Sequence, residues 1–382
     1  MKITHVISDT NIGGAGILLR SVLTSLSERF DFEAIVPKGA ELSGTLPASV
    51  KITELDVSGD KSFSLRDVKA FYNYFKLNTT DVVHTHASLS ARLGAKLAGV
   101  RLALSTRHCA IPDASVERKN FIKRLVYRLS TDLTVSTADF ATNNLIKEGI
   151  PKSRIITIKN GSPDVSEKVK DSHFSAHEEL KLPKGTKIIG SVARLEWVKG
   201  QDLILRAVPD IVRRVKDVHF LFIGEGGKKS EYQRLAASLG IEKHVTFLGY
   251  TPQPWNYQKD FYLNVNASRG TETSCLATSE CMALGVPTVA SSFGGNTEMI
   301  CHGENGLIFT SDNVFALKEA ILSLLLDEGK RDRLSAEARK SYENSFSLCR
   351  MADDYKRLYL SLGNYSKDRR RKIPKRLSRE RV

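Results

Sequence analysis

The chain has 382 residues, 41% hydrophobic and 26% charged, with five cysteines and a formal net charge of +14. That length exceeds one ordinary core and predicts two domains of roughly 150 to 200 residues each. The composition excludes a disordered or fibrous chain, and no apolar run approaches the roughly 18 residues that a membrane span needs. Cys109, Cys275, Cys281, Cys301 and Cys349 follow neither a metal-ligand nor a disulfide spacing and read as free thiols. The N-terminus reaches Ser8 and Asp9 too soon for a secretion signal and reads as a first strand, so the expected location is the cytoplasm.

After the first predicted strand, 3–7, come Gly13-Gly14-Ala15-Gly16 and a helix through Leu18, Leu19, Val22, Leu23 and Leu26. Glycines at such a junction let backbone approach a ligand closely. The spacing is not the dinucleotide fingerprint, and a ligand-free turn fits it as well. Strand and helix patterns then alternate through 32–36, 65–75, 82–86, 87–98 and 102–106, which predicts a doubly wound parallel sheet. Polar residues past strand ends face the ligand crevice of such sheets, and His84, His86 and His108 read as lying there.

The segment 116–129 interleaves Arg118, Lys119, Lys123, Arg124 and Arg128 with Phe121, Ile122, Leu125, Val126 and Leu129 at helical spacing. A basic amphipathic helix can lie on an anionic lipid surface; a helix docked on its own domain with a solvated basic face has the same pattern. Strands at 133–136 and 155–158 follow. Turn-formers around Asn160-Gly161-Ser162-Pro163 and a charged run, 164–187, mark a domain boundary. The predicted layout is a first domain at 1–165, a second at 166–345, a C-terminal helix at 346–365 that can pack back on the first domain, and a tail at 366–382. That tail holds nine lysines and arginines against two acids, half the net charge, and reads as flexible.

The second domain repeats the alternation, with strands at 187–193, 219–223, 245–249 and 260–266 and helices at 201–214 and 229–239. Arg194 and Lys199, between a strand and a helix, are two cations able to neutralise a diphosphate. The densest stretch is 267–300. It runs Ala267-Ser268-Arg269-Gly270-Thr271-Glu272, then a helix-like segment from about 274 to 284 holding Glu280, then Gly285-Val286-Pro287, a strand at 288–290 and Gly294-Gly295. This is one βαβ unit, and it aims the first N–H groups of its helix at the sheet edge where anions bind. Thr273 and Ser274 are expected to open that helix with hydroxyls and free N–H groups. Glu272 and Glu280 would lie roughly 12 Å apart at about 1.5 Å rise per residue. Cys275, with no paired base, reads as a small apolar filler.

These motifs resemble those of the retaining glycosyltransferases of family 4, bacterial polysaccharide-type enzymes with the GT-B fold. That is an α/β architecture of two Rossmann-like doubly wound domains facing each other across a cleft. The resemblance extends from Gly13-Gly14 through Asn160-Gly161 to the C-terminal helices. Its strongest element is Glu272 and Glu280 followed by Gly285-Val286-Pro287 and Gly294-Gly295, supported by Arg194-Leu195, Lys199-Gly200, Gly224-Glu225-Gly226 and Phe247-Leu248-Gly249. It implies an acceptor-binding N-terminal domain and a C-terminal domain for a nucleotide-sugar donor, expected to be a UDP-sugar. Arg194 and Lys199 would hold the donor diphosphate, Glu280 the ribose hydroxyls, and Glu272 would sit beside the sugar. The backbone of Thr273, Ser274, Cys275 and Leu276 would surround the sugar hydroxyls and β-phosphate, Gly13 and Gly14 would approach the phosphates, and His108 matches the histidine near the transferred sugar. The family transfers with retention and needs neither metal nor cofactor. In keeping with that, none of the acidic pairs Glu178-Glu179, Asp327-Glu328 and Asp353-Asp354 follows a strand end. The chain departs from the family where Gly-Phe-Gly and then Leu-Pro are common between the glutamates: it has Thr273 to Ser279 there, with Ala267 in place of proline and Cys281 in place of alanine.

The function expected is transfer of a sugar from a nucleotide-diphosphate donor to a lipid-linked or growing glycan acceptor in cell-surface polysaccharide synthesis. The 116–129 helix and the basic tail would meet the anionic inner face of the membrane. A soluble family 4 enzyme acting on a small acceptor is the alternative. Nucleic-acid binding through the tail is disfavoured, because no aromatic residue follows Tyr365 to stack bases.

Overall fold

Strands covered on both faces by helices are buried throughout: β9 (Val218–Ile223) is apolar but for His219, and β4 (Val82–His86) buries His84, Thr85 and His86 along with its valines. A computed structural model describes residues 1–109, 117, 121–270 and 272–367, with side chains described to residue 363. The chain divides into two units, Met1–Gly161 together with the segment from Leu348, and Ser162–Ser347.

In chain order the first unit contains β1 (Lys2–Ile7), α1 (Gly14–Leu26), β2 (Asp31–Pro37), β3 (Lys51–Leu55), α2 (Leu65–Leu77), β4, α3 (Leu89–Leu97), β5 (Leu102–Arg107), α4 (Phe121–Ser130), β6 (Leu133–Ser136), α5 (Asp139–Lys147) and β7 (Ile155–Thr157). All neighbouring strands are parallel, in the order β3-β2-β1-β4-β5-β6-β7. Chain direction across the sheet reverses between β1 and β4, which is where doubly wound sheets place ligands.

The second unit contains the short α6 (Ser166–Val169) and α7 (Ala176–Glu179), then β8 (Lys187–Val192), α8 (Gln201–Arg214), β9, α9 (Lys229–Ser238), β10 (Val245–Gly249), α10 (Trp255–Gln258), β11 (Phe261–Asn266), α11 (Leu276–Ala283), β12 (Thr288–Ser291), α12 (Asn296–Met299), β13 (Gly306–Phe309), α13 (Val314–Leu325) and α14 (Glu328–Ser341). Its parallel sheet runs β10-β9-β8-β11-β12-β13. The reversal here falls between β8 and β11.

Several elements depart from the sequence reading. β3 was not anticipated: it is an edge strand with three of its five residues exposed, so it lacks an apolar run. Its Lys51 pairs instead with buried Glu33 at 2.9 Å. The charged run 164–187 is no open linker, because Phe174, Leu180 and Leu182 pack on a core of Ala176, Ile188 and Phe261. The unit boundary accordingly falls at Gly161 and Ser162, slightly before 165. The basic helix begins at Phe121; residues 110–116 and 118–120, with Arg118 and Lys119, lie outside the described residues, as does the tail beyond 367. Among the described residues no helix is long and apolar enough to cross a membrane.

The last helix, α15 (Leu348–Lys367), belongs to the first unit and packs on α1. Tyr355, Leu358, Tyr359 and Leu362 are buried along it. Near its start, Arg350 Nη2 donates to the Lys159 carbonyl at 2.6 Å. If this face holds α15 in place, Leu358→Ala, at a fully buried position, will lower unfolding free energy by about 2–5 kcal/mol in denaturant titration; a change under about 0.5 kcal/mol contradicts the packing.

Candidate functional site

At the β8/β11 reversal of the second unit, the loop after β8 carries Arg194 and Lys199 and the loop after β11 carries Glu272. Lys199 Nζ lies 2.9 Å from Glu272 Oε2, with both side chains largely buried. The same carboxylate oxygen accepts from Ser268 Oγ at 2.9 Å. Burial alone would lower the Lys199 pKa, but the Glu272 charge and hydrogen bond outweigh it and hold the ammonium above the ordinary lysine value. Arg194 is exposed and forms no ion pair among the described residues; its carbonyl accepts from Gln201 Nε2 at 2.9 Å. One cation is therefore neutralised within the protein while its neighbour is open to an incoming anion.

Glycines bring these loops together. Gly200 has φ +69°, and a Cβ there would meet the Ala267 carbonyl oxygen at 2.1 Å. Gly294, at φ +59°, would meet the Glu272 carbonyl oxygen at 2.3 Å, and Gly295 N–H donates to that oxygen at 3.1 Å. Both positions require a residue without a side chain. Beneath the loop, Asn266 Nδ2 donates to Asn296 Oδ1 and Asn296 Nδ2 to Ser291 Oγ, each at 3.0 Å.

The helix after Glu272 starts later than expected. It begins at Leu276, with Cys275 as the capping residue and no side-chain cap, so Thr273 and Ser274 lie in the preceding loop. Ser274 Oγ sits 3.9 Å from Met299 Sδ, and Thr273 is buried. The helical rise therefore does not measure the separation of Glu272 and Glu280. Thr271 lies outside the described residues. Cys275 lines the same small cleft as Lys199 and Glu272, and burial with the Glu272 charge pushes its thiol up to about 11. It is protonated near neutral pH and is no nucleophile.

Glu280 sits within α11, partly buried. Desolvation pushes its carboxyl up to about 7, against opposing contributions from a Gln258 hydrogen bond and the Lys168 charge. Gln258, on α10, is itself buried and donates to the Ala277 carbonyl at 3.2 Å.

In the first unit, Gly13 caps α1 and Gly14 opens it. A Cβ at either would meet nothing within 4 Å, and neither has a positive φ. The fold itself does not demand glycine there. His108 follows β5 directly, whereas His84 and His86 do not lie past a strand end: both are inside β4 and buried. Burial brings the His108 pKa down to about 4. With His86 it lines a cavity of about 740 Å³ walled by Phe63, Leu89, Ile122 and Val126. Arg92 also lines that cavity. It is 5% exposed, its Nη1 donates to Thr85 and Ser105 hydroxyls at 2.8 Å, and no carboxylate pairs with it among the described residues.

Residues 12–163 match the family model "Glycosyltransferase Family 4" and residues 173–341 the model "Glycosyl transferases group 1". The chain belongs to the family 4-type glycosyltransferases. Spore coat protein SA of Bacillus subtilis is 32% identical over 197 residues, covering 48% of this chain and 52% of that protein, so the chain matches about half the length of that relative. N-acetyl-alpha-D-glucosaminyl L-malate synthase of Bacillus anthracis is 23% identical over 378 residues, 91% of this chain and 94% of that one. Among solved structures, HepE of Anabaena in complex with UDP superposes with a TM-score of 0.78 at 17% identity, covering 94% of this chain and 100% of that one. The two parallel sheets and this likeness make the fold GT-B.

Sequence reasoning about this glycosyltransferase did not single out Ser268, Gln258 or Arg92. Ser268 sat in plain view four positions before Glu272, but serine is too common in loops to be noticed. Gln258 and Arg92 reach their places only through tertiary packing.

Because the folded pKa of Glu280 exceeds the ordinary 4.5, ionising it costs stability; its favourable contribution is complete below about 4.5 and is lost as pH rises through about 7. Glu280→Gln cannot ionise. Its Tm relative to wild type should therefore rise between about pH 5 and pH 8, and a pH-independent difference contradicts the desolvated carboxyl.

Proposed function

We propose that the enzyme transfers a sugar, with retention and without a metal, from a UDP-sugar to a lipid-linked or growing glycan acceptor in cell-surface polysaccharide synthesis. The observation carrying the donor half is the buried Lys199–Glu272 pair with open Arg194 beside it at the β8/β11 reversal. In such a transfer the bond from the anomeric carbon to the diphosphate oxygen breaks as one to the acceptor hydroxyl oxygen forms, and the hydroxyl proton passes to the departing diphosphate. Negative charge collects on the leaving diphosphate, where preorganised Arg194 and Lys199 lower the barrier. Glu272 flanks the sugar, ionised Glu280 accepts from the ribose hydroxyls, and His108 touches the transferred sugar. The UDP bound to HepE supports the choice of nucleotide.

For the acceptor half, the apolar cavity of the first unit supports a ligand with a hydrocarbon portion. α4 adds exposed Phe121, Ile122, Leu125 and Leu129 beside exposed Lys123, Arg124 and Arg128, the composition of a helix seated on an anionic bilayer surface at the inner face of the cell membrane. A second reading, a small anionic acceptor, is favoured by Arg92, a buried guanidinium without a carboxylate partner, and by the malate named for the Bacillus anthracis relative. Turnover of a water-soluble acid without lipid would decide for it.

Two measurements test the proposal. In chelator-containing buffer, UDP at about 100 times its Kd should add roughly 2.7 kcal/mol of stability. Glu272→Gln should keep that shift while abolishing transfer, and Glu280→Gln should lose most of the shift. If UDP, GDP and ADP all leave Tm unmoved, or both variants lose binding equally, the donor-site assignment is wrong. Second, the protein should float with anionic vesicles at low salt, and neutralising Lys123, Arg124 and Arg128 together should weaken this by about 1 kcal/mol per charge. Absence of wild-type flotation removes the membrane role.

A further inference from the structure

Four histidines of the first unit form one hydrogen-bonded line through its core. His108 Nε2 meets His86 Nδ1 at 2.7 Å, and His86 Nε2 meets His5 Nδ1 at 3.1 Å. His5 Nε2 then meets the Tyr359 hydroxyl at 3.2 Å, which meets His84 Nδ1 at 2.9 Å. His84 Nε2 ends the line on Thr106 Oγ1 at 2.7 Å. Only His108 has appreciable exposure; His5, His84, His86, Thr106 and Tyr359 are all under 5% exposed. The rings of His108 and His86 lie nearly parallel with centroids 5.0 Å apart, as do those of His86 and His5 at 5.4 Å.

We propose that His86, His5, Tyr359 and His84 are positioning residues: the line they form holds His108 in one neutral tautomer and one orientation on the wall of the first unit's cavity. This rests on the reading of His108 as a residue that touches the transferred sugar.

A neutral imidazole has one donor nitrogen and one acceptor nitrogen, so a direction chosen at one link among His108, His86 and His5 is inherited by the others, and the Tyr359 hydroxyl, with a single proton to give, carries it on to His84 when it donates along the line. If the line donates from Thr106 toward His108, then His108 Nδ1 is a donor; if it donates the other way, that atom is an acceptor. None of His108, His86 and His5 can switch alone without setting two donors or two acceptors face to face, and a switch at His84 alone can leave the buried Tyr359 proton unmet, in a site where an unmet polar group is expensive. Burial keeps all four rings uncharged, their pKa values lowered by desolvation and, at His5, His84 and His86, by neighbouring rings. Export of a proton along the line is disfavoured by its far end. Thr106 is 2% exposed, and the phenol it bonds, Tyr355, is pushed up to about 12 by burial. The line sets a tautomer and does not carry charge away.

Tyr359→Phe deletes the central hydroxyl and keeps the ring; Thr106→Val deletes the terminal hydroxyl at equal volume and serves if the first variant does not fold. The full chain, labelled with 15N at histidine, is compared by NMR, with His108→Gln identifying the His108 resonances by their loss. Wild-type His108 should show one protonated and one unprotonated nitrogen of fixed identity from about pH 6 to pH 8, and either line-breaking variant should average the two. With UDP-glucose as donor probe, kcat should fall about tenfold while KM stays within about twofold, as for other outer partners that orient a ring. Unchanged His108 resonances in a folded line-breaking variant, or averaging already in wild type, overturns the proposal whatever the turnover. Undiminished turnover by His108→Gln instead sinks the sugar-contact reading and leaves the spectral outcome to judge the line.

Discussion

The buried ion pair of Lys199 and Glu272 is the constraint on which the donor-side site depends. Two charges withdrawn from water repay their desolvation only if geometry and further hydrogen bonds are good, and loss of one partner typically costs 3–5 kcal/mol. Here Ser268 adds the further bond, and Gly294 and Gly295 let their loop close on the Glu272 backbone. Under the proposed assignment a diphosphate competes with Glu272 for Lys199 but meets exposed Arg194 directly, so Arg194 would suit first capture and Lys199 the redistribution of charge as the leaving group departs.

The pair exists because of where the sheet reverses. Arg194 and Lys199 leave from β8 and Glu272 from β11, strands far apart in sequence but hydrogen-bonded neighbours. Right-handed crossovers send the chain to opposite sides of the sheet from these two strands and leave a crevice between their loops. Gly200 then lets the β8 loop approach the Ala267 carbonyl closer than any side chain permits. The first unit repeats this geometry at β1 and β4, with Gly13 and Gly14 after β1, and uses it differently: its crevice opens toward the apolar cavity that holds His108 and Arg92.

Most of the fold was legible because short β-rich runs such as Val218–Ile223 alternate with helical patterns, and because the βα junctions carry Gly, Arg and Glu at recognisable spacings. The edge strand β3 was not, since its stability comes from pairing with β2 and from the Lys51–Glu33 contact. The start of α11 was misplaced because Thr273 and Ser274 have capping chemistry that the surrounding loop does not use for capping. Nor was the histidine line visible. His5, His84 and His86 lie on two strands and His108 just past a third, and Tyr359 comes from α15, near the far end of the chain; only the β1-β4-β5 order and the docking of that helix bring them into register. Local pattern identifies elements, but long-range hydrogen-bonded chemistry becomes visible only when the sheet is assembled.

The two glutamates of the central motif show the same lesson at the level of charge. They share one short segment and one side-chain chemistry, yet Glu272 faces a lysine ammonium at 2.9 Å while Glu280, desolvated and opposed only weakly by the Gln258 hydrogen bond and the Lys168 charge, has a carboxyl pushed up to about 7. Surroundings that separate two like groups in this way separate their tasks. A carboxylate tied to an ammonium and a serine hydroxyl keeps its position, which suits the proposed place beside a sugar that becomes electron-poor at its anomeric carbon. A carboxyl poised near neutrality gains from any donor that arrives, because each hydrogen bond from a ligand hydroxyl favours the ionised form that burial had disfavoured. Under the proposed assignment ribose hydroxyls are such donors, and part of the affinity at Glu280 would come from relieving the cost that burial imposes on its charge.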